Sequence, residues 1–292
     1  MRFYQGTPKG SALMGKLSDI QKMSAKRIND YKKSCFIPDN CCVVITGNFS
    51  QNDLNYCMEK LSKVPPYGKH TTQELYIKNF SVRSSEDDKI YCGCDTFSDV
   101  SISFDVDEKK VNRYAAEILC SIFGYGVTSK LSLLLRDQMG LISEIDANTE
   151  FSSYSGRMVF EFEVSNSKLI DSLNAAFDVL SNAKNELTKV DIDSNILFYT
   201  ENQYRLLDDA RELNFLIGWR SFIENENLTS VDDLVERYSS ISLTDLKRAA
   251  KQIFSPDNLV LTMTNNNRKL NKSKLVETIN SCRSRLERLL HG

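Results

Sequence analysis

Hydrophobic and polar positions follow one arrangement twice along this chain: a helical pattern, a turn and a short apolar run. The first copy reads Phe36-Ile-Pro-Asp-Asn-Cys-Cys-Val-Val-Ile-Thr-Gly-Asn48, and the second reads Phe254-Ser-Pro-Asp-Asn-Leu-Val-Leu-Thr-Met-Thr-Asn-Asn266. The second copy follows the first by 218 residues, and six of the 13 positions are identical. The proline ends the preceding helix, Asp-Asn forms the turn, and the apolar run predicts a buried strand. The recurrence of this order indicates an internal duplication.

The two copies differ in what precedes them. About 170 residues of patterned sequence, from near residue 85, precede the second strand, whereas 40 residues precede the first. We therefore predict a truncated first unit at 1–64, a connector at 65–84 and a complete second unit at 85–292. The first-unit strand, at 41–46, has no sheet neighbours from its own unit. We expect another chain or the second unit to cover its edge or apolar face.

The second unit carries the clearest patterns. Alternation from Val100 to Val106 predicts a half-buried strand, and apolar residues spaced by three and four between 111 and 123 predict an amphipathic helix. Strands at 141–149 and 157–164 flank a turn and predict a hairpin. Because helices follow the hairpin in a separate run, the predicted class is α+β, an antiparallel sheet packed against helices. An unrelated helical-repeat protein is the distant alternative, and it would require the two repeated strands to be helical.

Composition excludes several classes of function. Net charge is −2 with interleaved acids and bases, so no basic stripe gathers nucleic acid or an anionic membrane surface. No apolar run approaches the roughly 20 residues that span a bilayer. Eight cysteines, mostly inside apolar patterns, favour reduced thiols in a cytoplasmic protein. An upstream signal stays open if the chain is a fragment.

Candidate chemistry within the chain is sparse. The two histidines, His70 and His291, have no carboxylate, serine or cysteine in a partnering pattern, which argues against a catalytic triad or a histidine-ligated metal. Cys92 and Cys94 would share one strand face, but no further metal ligands accompany them. Gly124-Tyr-Gly126 follows a helix and not a strand, so it indicates a helix–helix turn more than a phosphate loop.

Arg136 has two interpretations. It lies in the last turn of a predicted helix at 129–139, where a guanidinium stabilises free carbonyls or pairs with an acid. The functional interpretation is an arginine aimed at a peptide carbonyl or carboxylate. Tyr154, at the predicted hairpin tip, is by default an exposed turn residue.

Two stretches resemble the pitrilysin, insulysin and mitochondrial processing peptidase family. The first is Tyr31 with Pro38-Asp39-Asn40 and an apolar strand ending in Gly47-Asn48. The second runs from Phe123 to Leu141 and is similar to the family's small-residue loop, Ser-x-Leu helix and Leu-Arg-Glu-x-x-Gly-Leu-x-Tyr motif. The resemblance covers nearly the whole chain.

The resemblance implies tandem α+β units whose halves enclose a chamber, with the peptide added as a strand to a sheet edge. In such proteins one unit carries an inverted zinc motif, His-x-x-Glu-His, with a distant Glu as the third zinc ligand, while a unit of the opposite half supplies an Arg and a Tyr that hold the substrate. By carry-over, the expected substrate-binding residues here are the following: Gly126, Ser129, Arg136, Ser143 and Tyr154.

This sequence departs from the family pattern in two places. His-x-x-Glu-His is absent, and its counterpart in the second unit falls near Ala115–Leu119, which contains no histidine. The family's Arg-x6-Tyr becomes Arg136-x6-Ser143, and serine cannot extend a phenol to a carbonyl unless Tyr154 substitutes.

The resulting hypothesis is a non-catalytic part of a zinc-metallopeptidase-family protein. It would have no cofactor of its own and would complete the peptide-binding chamber for a zinc-bearing homologous half or partner. Self-association and an unstructured peptide substrate are the other expected contacts, and enzymatic activity of this chain alone is not expected. The alternative is a structural or assembly subunit of the same fold that binds no peptide.

Overall fold

The computed structural model describes most of the chain. The described residues are 3–4, 10, 14–63, 90–91, 96–152, 155–226, 228, 230–264 and 271–291. They form two compact units, one within residues 3–80 and 204–231 and the other within 81–203 and 232–292. The predicted connector 65–84 lies outside the described residues, as does the Cys92-x-Cys94 pair. The predicted domain limits stay a prediction, because they concern repeated sequence modules and not packing.

The described helices occur in both units. In chain order they are α1 (Leu17–Gln21), α2 (Ala25–Cys35), α3 (Gln51–Ser62), α4 (Arg113–Gly124), α5 (Leu169–Ser181), α6 (Ala183–Glu186), α7 (Lys189–Arg205), α8 (Ala210–Gly218), α9 (Val231–Ser239), α10 (Leu243–Ile253) and α11 (Lys272–His291). Two π-helical segments, π1 (Ser132–Gln138) and π2 (Trp219–Ile223), interrupt this series.

The second unit is built on one sheet. Its strands are β1 (Ile90–Tyr91), β2 (Phe97–Val106), β3 (Asp146–Ser152), β4 (Ser155–Ser165) and β5 (Leu259–Thr264), in the spatial order β1-β5-β2-β4-β3. β2 pairs antiparallel with β4 and β5, and β3 pairs antiparallel with β4 as the predicted hairpin. Among the strands that the structure describes, only the two-residue β1 pairs in parallel, with β5. The predicted α+β class with an antiparallel sheet is confirmed.

One sheet face forms the core. Val100, Ile102 and Phe104 of β2 are buried, as the alternating pattern predicted. All residues of α4 are buried too. At the end of this helix, a Cβ on Gly124 would lie 2.4 Å from Cδ1 of Phe160 and 2.6 Å from Cβ of Ala147. Glycine is therefore required there for close packing of the helix on the sheet.

The prediction that 41–46 is a strand is wrong in one respect. Its backbone begins extended, with Cys41 at φ −129° and ψ 139°, but it pairs with no strand among the described residues. Contacts from α8 hold it instead. Asn214 Nδ2 donates to the Val44 carbonyl at 2.8 Å, and the Thr46 hydroxyl donates to the Ala210 carbonyl at 2.7 Å. An extended segment becomes a strand only when a neighbouring chain completes the hydrogen-bond ladder.

The two copies of the repeated stretch have the same local backbone structure. α2 and α10 each contain 11 residues, and both their limits are separated by the 218-residue offset. Each is followed by a 3₁₀ turn formed by Pro-Asp-Asn. In both turns the asparagine amide returns to the helix end: Asn40 Nδ2 donates to the Cys35 carbonyl at 2.9 Å, and Asn258 Nδ2 to the Ile253 carbonyl at 3.3 Å.

Candidate functional site: the free sheet edge and the Arg136 turn

β3 is the last strand on one side of the sheet. Within the described part of the chain it pairs only with β4, so the main-chain groups on its other side lie at a free edge. The guanidinium of Arg113, from α4, lies 4.4 Å from the ring centre of Phe151 and stabilises the strand from the core face. Such an edge can accept an extended peptide through main-chain hydrogen bonds.

The turn before π1 is closed by its own serines. Gly126 has φ +81°, a left-handed conformation that favours glycine. The buried Ser129 hydroxyl donates to Ser132 Oγ at 2.9 Å, and the Ser132 hydroxyl donates to the Gly126 carbonyl at 2.9 Å. Gly126 and Ser129 therefore shape the turn, because the Ser129 hydroxyl and the Gly126 carbonyl are both hydrogen-bonded to the Ser132 hydroxyl.

Arg136 lies near the end of π1 and is bound to its neighbour. Its Nε donates to Asp137 Oδ1 at 2.7 Å and its Nη2 to Asp137 Oδ2 at 3.1 Å. This hydrogen bonding raises the pKa of Arg136 and lowers the pKa of Asp137. Nη2 also lies 3.5 Å from the Val127 carbonyl, which connects Arg136 to the preceding turn. The side chain keeps 30% of its surface exposed, so a peptide carboxylate would compete with Asp137 for it.

π1 is followed by a glycine in the left-handed conformation. Gly140 has φ +58°, and the Lys168 ammonium donates to its carbonyl at 2.6 Å. A cation at the carbonyl end of a helix is electrostatically favourable. Ser143 follows on the surface and makes no described hydrogen bond to Arg136. Tyr154 lies outside the described residues. The structure thus places Gly126 and Ser129 in one turn and connects Arg136 to that turn through the Val127 carbonyl, but it does not connect Ser143 to them.

Helix α4, which the family resemblance makes the counterpart of the zinc-binding helix, does not fit zinc. Residues Ala115–Leu119 are buried, and Glu117 is their only metal-ligand type. Its carboxylate accepts a hydrogen bond from Tyr238 and lies 3.7 Å from Arg113 Nε. The Tyr199 hydroxyl donates to the Glu117 carbonyl at 3.0 Å, and burial, with Glu117 nearby, raises the pKa of Tyr199. Across the described ranges, no three His, Cys, Asp or Glu residues are grouped to hold a metal.

A polar cluster that the sequence did not predict lies on the sheet face opposite the apolar residues of β2. Arg157 of β4 donates through Nη2 to Ser103 Oγ of β2 at 2.9 Å and lies 3.4 Å from Glu150 of β3. Glu161 lies 3.8 Å from the same guanidinium. The alternation of serine and acid in β2 was a signal of this face. The pairing that brings Arg157 beside Ser103 could not be deduced from one strand.

The family assignment rests on sequence. Residues 22–196 match the family model of the peptidase M16 inactive domain. The chain therefore belongs to the peptidase M16 family and carries its inactive domain. This confirms the resemblance to the pitrilysin, insulysin and processing peptidase family, and to its non-catalytic portion. No curated protein sequence matches the chain.

Solved structures share the fold. The peptidase M16 inactive domain from Pseudomonas fluorescens is 15% identical with a TM-score of 0.74, covering 90% of this chain and 63% of that one. A protease from Helicobacter pylori is 17% identical with a TM-score of 0.73, covering 86% and 61%. A chain of complex III2 from Candida albicans is 13% identical with a TM-score of 0.79, covering 98% and 68%. This chain thus spans less than two thirds of the two bacterial relatives.

Membrane insertion through a helix finds no support in the part of the chain that the structure describes. None of its helices combines the length and apolar character needed to cross a bilayer.

Proposed function

We propose that this chain completes a peptide-binding chamber for a zinc-bearing homologous half or partner. This proposal is supported by the family assignment to the inactive domain and by the free edge of the sheet at β3. Zinc would be held by the partner, because the α4 counterpart of the zinc helix offers a single buried glutamate engaged by Tyr238 and Arg113. The described cysteines are free thiols, which supports a reducing, cytoplasmic location.

The substrate in this proposal is an unstructured peptide. It would add to β3 as a further strand, since the free edge offers main-chain donors and acceptors without demanding particular side chains. Arg136 would hold a peptide carbonyl or carboxylate with the exposed part of its guanidinium, displacing Asp137 in part. Ser143 and, in place of the family's tyrosine, Tyr154 would lie along the same peptide.

A binding measurement tests this role. Fluorescence anisotropy of labelled, unfolded peptides should show micromolar binding to the pure chain. Arg136→Ala should weaken it about fivefold, because a solvent-exposed hydrogen bond to a charged group contributes on the order of 1 kcal/mol. Arg248→Ala is the matched control, since Arg248 is also exposed and bound to a nearby carboxylate, that of Asp245, at 2.8 Å. Cleavage of the peptide by the pure chain, lost with a chelator, would contradict a non-catalytic role.

The alternative is an assembly subunit that binds no peptide. Three observations favour it. Asp137 is already hydrogen-bonded to Arg136, and position 143 is a serine. The structural alignment with the complex III2 chain covers 98% of this chain. Absence of peptide binding together with tight association with another protein would support this alternative over the first.

A further inference from the structure

The first unit contains an open groove with a largely apolar lining. It has a volume of about 650 Å³ and lies between α2, the Pro38–Asn40 turn, the extended segment 41–46 and α3. Residues that matter for its chemistry are Lys32, Lys33, Phe36, Cys41, Val43 and Leu61. An apolar cavity open to water on a folded unit is a candidate binding surface.

The second repeat shows what covers the equivalent surface. Phe36 corresponds to Phe254, and their side chains are 64% and 0% exposed. Val43 corresponds to Leu261, and these side chains are 57% and 0% exposed. Leu61 corresponds to Ile279, which is also buried. Positions that form a groove wall in the first repeat therefore belong to the core in the second.

Two elements provide that cover. The Phe254 ring centre lies 5.1 Å from Phe104 of β2 and 5.5 Å from Phe123 of α4. Leu261 of β5 stands opposite Ile102 of β2 in the antiparallel ladder. The equivalent surface is thus closed by a strand with alternating apolar residues, followed by an apolar helix that carries an aromatic side chain.

The backbone beside the groove is also open. β5 exchanges ladder hydrogen bonds with β2, whereas no described residue accepts a hydrogen bond from the amides of 42–46. Unpaired amides on an extended segment can template a further strand.

The charge at the groove differs from the charge at the equivalent surface of the second repeat. Lys32 stands where the second repeat has the buried Ala250, and Lys33 accompanies it on α2. Neither ammonium forms an ion pair with a described residue. An occupant of this groove is therefore expected to carry a carboxylate near Lys32, and α4 of the second repeat carries one acidic residue, Glu117.

We propose that the groove docks a partner polypeptide through a strand–helix segment of the β2–α4 kind. The strand pairs antiparallel with 41–46, and the helix places an aromatic side chain on Phe36 and a carboxylate near Lys32. This rests on the proposed function in one respect, that the chain works beside a homologous half. It names where that half binds.

Alkylation of Cys41 tests the docking. Cys41 lines the groove and is exposed, so its rate of reaction with iodoacetamide, followed by mass spectrometry in the full chain, reports occupancy. The probe is a synthetic peptide of residues 97–124 of this chain carrying Cys120→Ser. Excess peptide should slow alkylation of Cys41 at least fivefold, whereas a scrambled peptide should not.

Two variants localise the effect. Val43→Glu should abolish the protection because it replaces an apolar contact surface of the groove with a charged side chain that an apolar strand cannot cover. Val276→Glu is the matched control, with 55% exposure on α11 of the other unit. Equal rates with and without peptide, or protection that survives Val43→Glu, would overturn the proposal. Protection that rises with chain concentration without peptide would also overturn it and assign the groove to a second copy.

The outcome is separable from the peptide-binding test. Arg136→Ala leaves the groove intact, so Cys41 protection should persist in that variant even if binding of unfolded peptides is lost or never present.

Discussion

The two repeats of this chain share their local structure and differ in their surroundings. α2 and α10 begin and end at equivalent residues, and both Pro-Asp-Asn turns are closed by the same asparagine amide. After the turn, 259–264 is a central strand of a five-stranded sheet, whereas 41–46 is extended and unpaired with any described strand. Local sequence therefore determines helix and turn, and strand formation depends on a neighbour such as β2, which among the described residues pairs with 259–264 and not with 41–46.

Equivalent residues of the two repeats differ in burial. Phe254 lies between β2 and α4, and its counterpart Phe36 lies at an open groove. Because an aromatic side chain contributes mainly through the apolar surface it removes from water, equivalent positions should differ greatly in their contribution to stability.

The largest expected effect is on the two phenylalanines. Phe254→Ala should reduce the free energy of unfolding by about 3–5 kcal/mol, because it opens a cavity among Phe104, Phe123 and Phe160. Phe36→Ala should change it by about 0.5 kcal/mol or less. Chemical denaturation of the full chain measures both.

A conservative substitution guards against failure to fold. Phe254→Leu keeps most of the side-chain volume and should lose less than half as much stability. Similar losses for Phe254→Ala and Phe36→Ala would show that Phe36 is covered in solution, and the contrast between the repeats would fail.

A smaller effect is expected at the helix starts. Ser24 and Ser242 are equivalent N-caps, accepting from the amides of Arg27 and Asp245. Of these two caps, only Ser242 belongs to a capping box, because Asp245 accepts a hydrogen bond from the Ser242 amide at 3.1 Å. Ser242→Ala should cost about 1 kcal/mol, and Ser24→Ala about half of that because α2 is exposed throughout.

The pH dependence separates the two caps. The hydrogen bond from the Ser242 hydroxyl lowers the pKa of Asp245 below its ordinary value of 3.8. A lowered carboxyl pKa stabilises the fold above pH 3.8, and this contribution is lost as pH falls through the folded pKa. The cost of Ser242→Ala should therefore shrink in acid, while that of Ser24→Ala should stay constant, since Arg27 replaces the carboxylate. Denaturation curves at pH 7 and below pH 3 check this, and a parallel decline at both sites would contradict it.

Much of the fold follows from the sequence. The amphipathic pattern of 111–123 predicts α4, the alternation from Val100 to Val106 predicts the buried face of β2, and the serine-rich turn between β3 and β4 predicts their hairpin. These features are local, so a window of ten to fifteen residues contains the information.

The remaining features depend on distant residues. Whether 41–46 forms a strand depends on a neighbouring strand, which the described residues do not provide, and not on its own apolar residues. The pairing of Arg157 with Ser103 depends on the register of β2 against β4. At the candidate site, the sequence indicates that Arg136 lies at the end of a helix. The three-dimensional structure adds that the Arg136 guanidinium is hydrogen-bonded to Asp137 and that the Ser129 hydroxyl is hydrogen-bonded within its own turn.

The most direct test of the contrast between the two repeats is amide hydrogen exchange of the full chain, comparing 42–46 with 259–264. Amides of β5 should exchange at least about a thousandfold more slowly than those of 42–46, because their exchange requires the sheet to unfold. Amides of 42–46 should exchange near the rate of an unstructured chain. Equal and strong protection of both segments in the isolated chain would contradict that contrast.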